Sequence, residues 1–111
     1  MTKGVYQVFW TQTAQHDFRK IIEYIAVDSE IQARELYLTI KQRADQLRQL
    51  PLQGRIVPEL GYHSIFTYRE LISPPWRIIY KTEENKVWVL AVIDGRRNVE
   101  DILLDRFIYP Q

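Results

Sequence analysis

Between Ser64 and Ile93 three β-like runs follow one another with almost nothing between them. Ser64 to Ile72, Trp76 to Thr82 and Lys86 to Ile93 are rich in β-branched and aromatic residues, as half-buried strands are. They are joined only by Ser73-Pro74-Pro75 and by Glu83-Glu84-Asn85, both of which read as tight turns. Links this short predict antiparallel neighbours, because a parallel crossover needs a dozen residues or more. Val87 to Val92 is apolar on both faces, which suits a central strand covered on both sides or a strand of a curved sheet. Arginines punctuate these runs: Arg69 in the first, Arg77 inside the otherwise apolar second, and Arg96 and Arg97 just past the third. Burying a guanidinium without a partner is expensive, so Arg77 demands an explanation other than packing.

The residues before this block read as one strand and two helices. Val5 to Trp10 has strand composition. Thr13 can cap a helix from Ala14 to Val27, with Asp17 near its positive end. Ala14, Phe18, Ile21, Ile22 and Ile25 fall on one face of that helix. Ser29 and Gln32 have capping-box spacing and restart a helix whose apolar stripe is Ala33, Leu36, Tyr37, Ile40, Ala44 and Leu47. Pro51 is expected to end it. The short link around Asp28 makes the pair an antiparallel hairpin. Gln53-Gly54 turns the chain, Arg55 to His63 reads as a loop, and Asn98 can cap a short terminal helix reaching Arg106. The expected fold is therefore α+β: an N-terminal strand, a helical hairpin, a three-stranded antiparallel curved sheet and a short C-terminal helix, with residues 1–111 as one domain.

Composition narrows the function classes. The 111 residues are 46% hydrophobic, enough for a packed core. The net charge of +1 argues against a strongly basic nucleic-acid binder, so any such role must rest on a local patch. The chain contains no cysteine, which removes disulfide scaffolds and thiolate metal sites and fits a cytoplasmic protein. No apolar run approaches the ~20 residues of a membrane span, and the N-terminus lacks the basic-then-apolar pattern of a signal peptide.

In order and spacing, several pieces resemble the RelE/ParE superfamily of toxins from type II toxin–antitoxin modules. They are Thr13-Ala14, Asp17, Ile21 and Tyr24-Ile25; then Leu50-Pro51, Gly54-Arg55 and Val57-Pro58-Glu59-Leu60; then Arg69-Glu70-Leu71, Trp76-Arg77-Ile78-Ile79-Tyr80 and Gly95-Arg96-Arg97. The pattern looks closest to the ParE-like, plasmid-stabilisation branch. The resemblance implies a toxin that arrests growth when free of an antitoxin, which neutralises it by wrapping a segment around it. It implies no cofactor. Two targets are known in the superfamily: RelE-like members cut messenger RNA on the ribosome without a metal, and ParE-like members inhibit DNA gyrase. A third outcome is a degenerate module that binds only its antitoxin.

The candidate site residues follow from the RNA-cutting branch. Arg77 lies where those relatives place a phosphate-contacting arginine, a role suited to a planar fork that stays charged. Arg97 matches a second such arginine and Glu59 a general-base glutamate. Each has a structural alternative: a salt bridge from Arg77 to Glu59 or Glu70, a surface pair at Arg96 and Arg97, and a loop carboxylate at Glu59 pairing with Arg55 or Arg69. Arg55, Arg69, Arg96 and His63 are candidate partner-binding residues. His16 is expected to be exposed, and two isolated histidines make no metal site. The tyrosine that RNA-cutting relatives carry near the C-terminus would fall near Leu103, in an apolar stretch. The terminal helix is expected to dock on the chain's own core, while Phe107, Ile108 and Tyr109 could also lie under an antitoxin segment or form a homodimer contact.

Overall fold

The computed structural model describes residues 5–109. Five strands form one sheet in the order β1-β5-β4-β3-β2: β1 (Gln7–Trp10), β2 (Arg55–Ile56), β3 (Tyr68–Ser73), β4 (Trp76–Glu83) and β5 (Lys86–Asp94). The three long strands are an antiparallel meander, as their short links require. The β4–β5 hairpin pairs Glu83 with Lys86, and Glu84 in its turn has a φ of 56°. Strand β1 adds to β5 in parallel, which its long helical connection permits.

Two helices, α1 (Gln12–Asp28) and α2 (Glu30–Asp45), form the hairpin, with Ser29 alone between them. Ser29 ends α1 and begins α2, its hydroxyl accepting from the Gln32 amide. The first cap differs from expectation: Thr11, not Thr13, accepts from the Ala14 amide. The chain turns into helix directly after Trp10, so the hydroxyl at residue 11 is the one that reaches the free N–H groups. Helix α2 also ends before Pro51, passing at Asp45 into a 3₁₀ turn over Gln46–Arg48.

The expected loop from Arg55 to His63 contains two elements, strand β2 and a single helical turn α3 (Pro58–Gly61). Pro58 opens that turn at the position where its missing N–H costs nothing. Strand β3 begins at Tyr68 rather than Ser64. Asn98 caps α4 (Val99–Leu103) through the Asp101 amide, and a π-helical turn over Leu104–Ile108 follows.

The sheet is covered on both faces, as the apolar run in β5 implies. Phe18, Ile40 and Leu47 of the hairpin side pack with Leu71, Ile78, Tyr80, Val87, Val89 and Val92. On the other face Val57, Leu60, Val99 and Leu103 pack with Ile79, Ala91 and Ile93. Ile79 pairs with Ala91 and Tyr80 with Val89, leaving Leu90 without a partner. That extra residue shifts the alternation, so both Val89 and Val92 reach the hairpin core.

Candidate functional site

Alternation along β4 separates its side chains. Trp76, Ile78 and Tyr80 face the hairpin, whereas Ile79 packs on the opposite face, which Arg77 shares. Glu70 of β3 is opposite Ile79, and Arg55 of β2 is opposite Glu70. Register alone therefore brings Arg55, Glu70 and Arg77 together, and α3 sets Glu59 at the end of the row.

These four side chains form a continuous ion-pair chain. Arg55 Nε donates to Glu70 Oε2 at 2.7 Å, and Arg77 Nε donates to Glu70 Oε1 at 2.6 Å. The two terminal nitrogens of Arg77 donate to the two carboxylate oxygens of Glu59, at 2.7 and 2.6 Å. Glu70 is 1% exposed and Arg77 8%. A buried carboxylate is costly unless paired and hydrogen-bonded, and Glu70 has a guanidinium on each oxygen. Arg77 hydrogen bonding holds the Glu59 carboxyl below its usual range, against the opposing effect of burial. The bonds from Glu59 raise the Arg77 value further, so its charge is permanent.

Close packing frames the network. Gly95 donates its N–H to the Pro75 carbonyl at 2.7 Å, and a Cβ there would stand 3.1 Å from Arg77 Cδ. Beneath β3, the Gly54 amide donates to the buried Tyr80 hydroxyl at 2.9 Å, and Arg69 donates to the Gly54 carbonyl at 2.8 Å. Burial pushes the Tyr80 phenol up.

Of the residues singled out in the sequence, Arg77 and Glu59 are in direct contact, and Glu59 bonds neither Arg55 nor Arg69 among the described residues. Arg97 is exposed, with no side-chain hydrogen bond among the described residues. Arg96, itself exposed, grips Asp94 at 2.9 and 2.7 Å, holding that carboxyl down at about 2. His63 lies 2.8 Å from Glu100 of α4. His16 is exposed. Among the described residues no cluster of three or more His, Asp or Glu could hold a metal ion, and no helix is long and apolar enough to cross a membrane.

A second pair, half-buried, had no clear signal in the sequence. Strand β1 ends opposite Val89, so the Val92 amide on that side has no strand neighbour. Asp17 Oδ2 accepts from it at 3.1 Å, and Arg106 clamps the same carboxylate at 2.7 and 3.1 Å. The only sequence signal was an acid early in α1, which reads equally well as a helix-dipole residue. The π-helical turn beyond α4 is thereby tied to α1. Leu103 is fully buried, Phe107 and Ile108 pack against the second core, and Tyr109 is 66% exposed.

Arg77 offers three of its five N–H groups to carboxylates, so an external phosphate reaches its fork only by displacing Glu59. The arrangement as it stands is a charge-neutral brace between three strands and α3.

Comparison with known proteins places this fold. Residues 8–99 match the family described as "ParE toxin of type II toxin-antitoxin system, parDE". A relative from Caulobacter vibrioides, "Toxin RelE2", is 32% identical over 92 residues, covering 82% of this chain and 97% of that protein. A chain from the structure titled "Chromosomal ParDE TA system from P. aeruginosa" superposes with a TM-score of 0.66 at 18% identity, covering 83% of this chain and 98% of the other. The α+β architecture, the order of its elements and the match across residues 8–99 agree, and the chain belongs to the ParE toxin family of type II toxin–antitoxin systems.

Proposed function

We propose that this toxin arrests growth, when free of its antitoxin, by binding DNA gyrase through protein–protein contact in the cytoplasm. The observation that carries this reading is the occupied fork of Arg77. The arginine best placed to hold a phosphate is bonded to Glu59 and Glu70 instead. The tyrosine that RNA-cutting relatives carry near the C-terminus would fall near Leu103, which is buried. In this reading the exposed cations Arg55, Arg96 and Arg97, with His63, meet the target or the antitoxin. The test is a supercoiling assay with purified gyrase and toxin: inhibition relieved by antitoxin is expected. Untouched supercoiling at concentrations that stop growth removes the gyrase target.

The second reading is a ribosome-dependent, metal-independent endoribonuclease. One observation favours it: Arg97 is exposed and has no carboxylate partner among the described residues. It assigns Arg77 and Arg97 to phosphate and Glu59 to proton transfer. Codon-positioned cuts in messenger RNA after induction, abolished in Arg97→Ala, are its signature. Normal growth on induction without antitoxin instead identifies a degenerate, antitoxin-binding module.

A further inference from the structure

Helix α2 carries a second row of apolar residues that its own fold does not use. Its inner face is accounted for by Ala33, Ile40 and Ala44, all buried. On the outer face Ile31 is 74% exposed and Leu38 59%. With Arg34 and Glu35 they occupy positions i, i+3, i+4 and i+7, one contiguous lozenge of helix surface. Such a lozenge is the unit by which one helix receives side chains of another. Ile31, Arg34, Glu35 and Leu38, together with Glu30, line a shallow depression of about 420 Å³. Neither Arg34 nor Glu35 has a salt-bridge partner among the described residues.

We propose that this face binds a second copy of the chain, with the two α2 helices side by side and running parallel about a two-fold axis. The charge pattern selects both the occupant and the orientation. In a parallel two-fold pair each residue of the central row meets its own copy, while the left flank of one helix meets the right flank of the other. Ile31 then packs on Ile31 and Leu38 on Leu38. Arg34 of each copy meets Glu35 of the other, forming two reciprocal ion pairs. The antiparallel arrangement places Arg34 against Arg34 and Glu35 against Glu35, which is repulsive on both sides. The surface is thus self-complementary in one orientation. One helix pair buries less than the ~1,200 Å² of stable complexes, so the dimer forms reversibly and at high concentration.

Sedimentation analysis of the purified full-length chain, from low to high micromolar concentration, tests this. The expected result is a monomer–dimer equilibrium. Arg34→Glu or Glu35→Arg alone puts like charges across the axis twice and raises the dissociation constant about tenfold or more. The double variant R34E/E35R restores opposite charges and recovers dimerisation. All three lie on an exposed helix face, and circular dichroism verifies that they fold. A wild-type chain that stays monomeric throughout overturns the proposal. So does a dimer indifferent to the single reversals, which places the contact elsewhere. A parallel titration with antitoxin separates the remaining occupant: if all three variants, the double included, bind antitoxin more weakly than wild type and none alters self-association, the face belongs to the antitoxin.

Discussion

Glu70 and Arg77, on adjacent strands, hold each other at 2.6 Å with side chains 0% and 10% exposed. The pair is not isolated, because Arg55 occupies the other oxygen of Glu70 and Glu59 the far side of Arg77. Two cations and two anions thus balance inside a region that packing alone would have filled with apolar residues. Breaking one side of such a pair leaves an uncompensated charge, which costs more than the pair itself contributes.

Glu70→Ala is therefore expected to lower the free energy of unfolding by about 3–5 kcal/mol, read by urea denaturation. Arg77→Ala is expected to destabilise as well: Arg55 then remains on Glu70, just as Glu59 remains on Arg77 in Glu70→Ala, and each variant loses the buried central bond. An Arg77→Ala variant that loses toxicity is informative about activity only if its unfolding midpoint is measured alongside. A Glu70→Ala protein as stable as wild type contradicts the structural role.

Acid should weaken the same network. The Glu59 carboxyl is held below its ordinary value of 4.5, first by its hydrogen bonds from Arg77. The unfolded chain therefore takes up this proton at a higher pH than the folded protein. The stabilisation is complete above pH 4.5 and is lost as pH falls through the folded-state value. Unfolding free energies measured from neutral to acid pH are expected to fall less steeply for Glu59→Gln than for wild type below pH 4.5. Parallel profiles refute the linkage.

Gly54 has no room for a side chain. A Cβ there would lie 2.5 Å from the Glu70 carbonyl oxygen and 2.7 Å from the Tyr80 hydroxyl. Gly54→Ala must displace backbone, and a loss of about 3 kcal/mol or failure to fold is expected. Tyr80→Phe leaves the Gly54 amide without its acceptor and costs about 1–3 kcal/mol. Thermal unfolding of both variants distinguishes the steric effect from the hydrogen-bond effect.

The Asp17 clamp predicts a local effect at a distance in sequence. Asp17→Ala frees the Val92 amide and Arg106 together. Amide hydrogen exchange is expected to accelerate at Val92 and through Leu104–Ile108, while the centre of β4 keeps its protection. Unchanged exchange at Val92 contradicts the assignment.

The meander was legible because its turns are short and its runs are long. The hairpin was legible because apolar periodicity and the Ser29 cap coincide. Strand β2 and α3 were not, since two-residue pairing and a single helical turn leave no periodicity to read. Thr11 was passed over for Thr13 because either hydroxyl precedes the apolar helical face and only the path of the chain after Trp10 decides between them.

The candidate site divides in the same way. From sequence, Arg77 on a strand must face away from Trp76 and Ile78, because side chains alternate with a period of two, and an arginine there must have a partner. Which partner is a tertiary fact. Glu59 and Glu70 are both near in the chain, and only the register of β3 against β4, with the seating of α3 against the second core, sets both carboxylates on one guanidinium. Asp17 and Arg106 make the point more strongly. They are 89 residues apart, and nothing local couples them until β1 stops short and leaves the Val92 amide in need of an acceptor. The sequence by itself determined the long elements, their order and the charges that had to be compensated. The tertiary structure decided which charges compensate which, because that depends on distances that only the packed sheet defines.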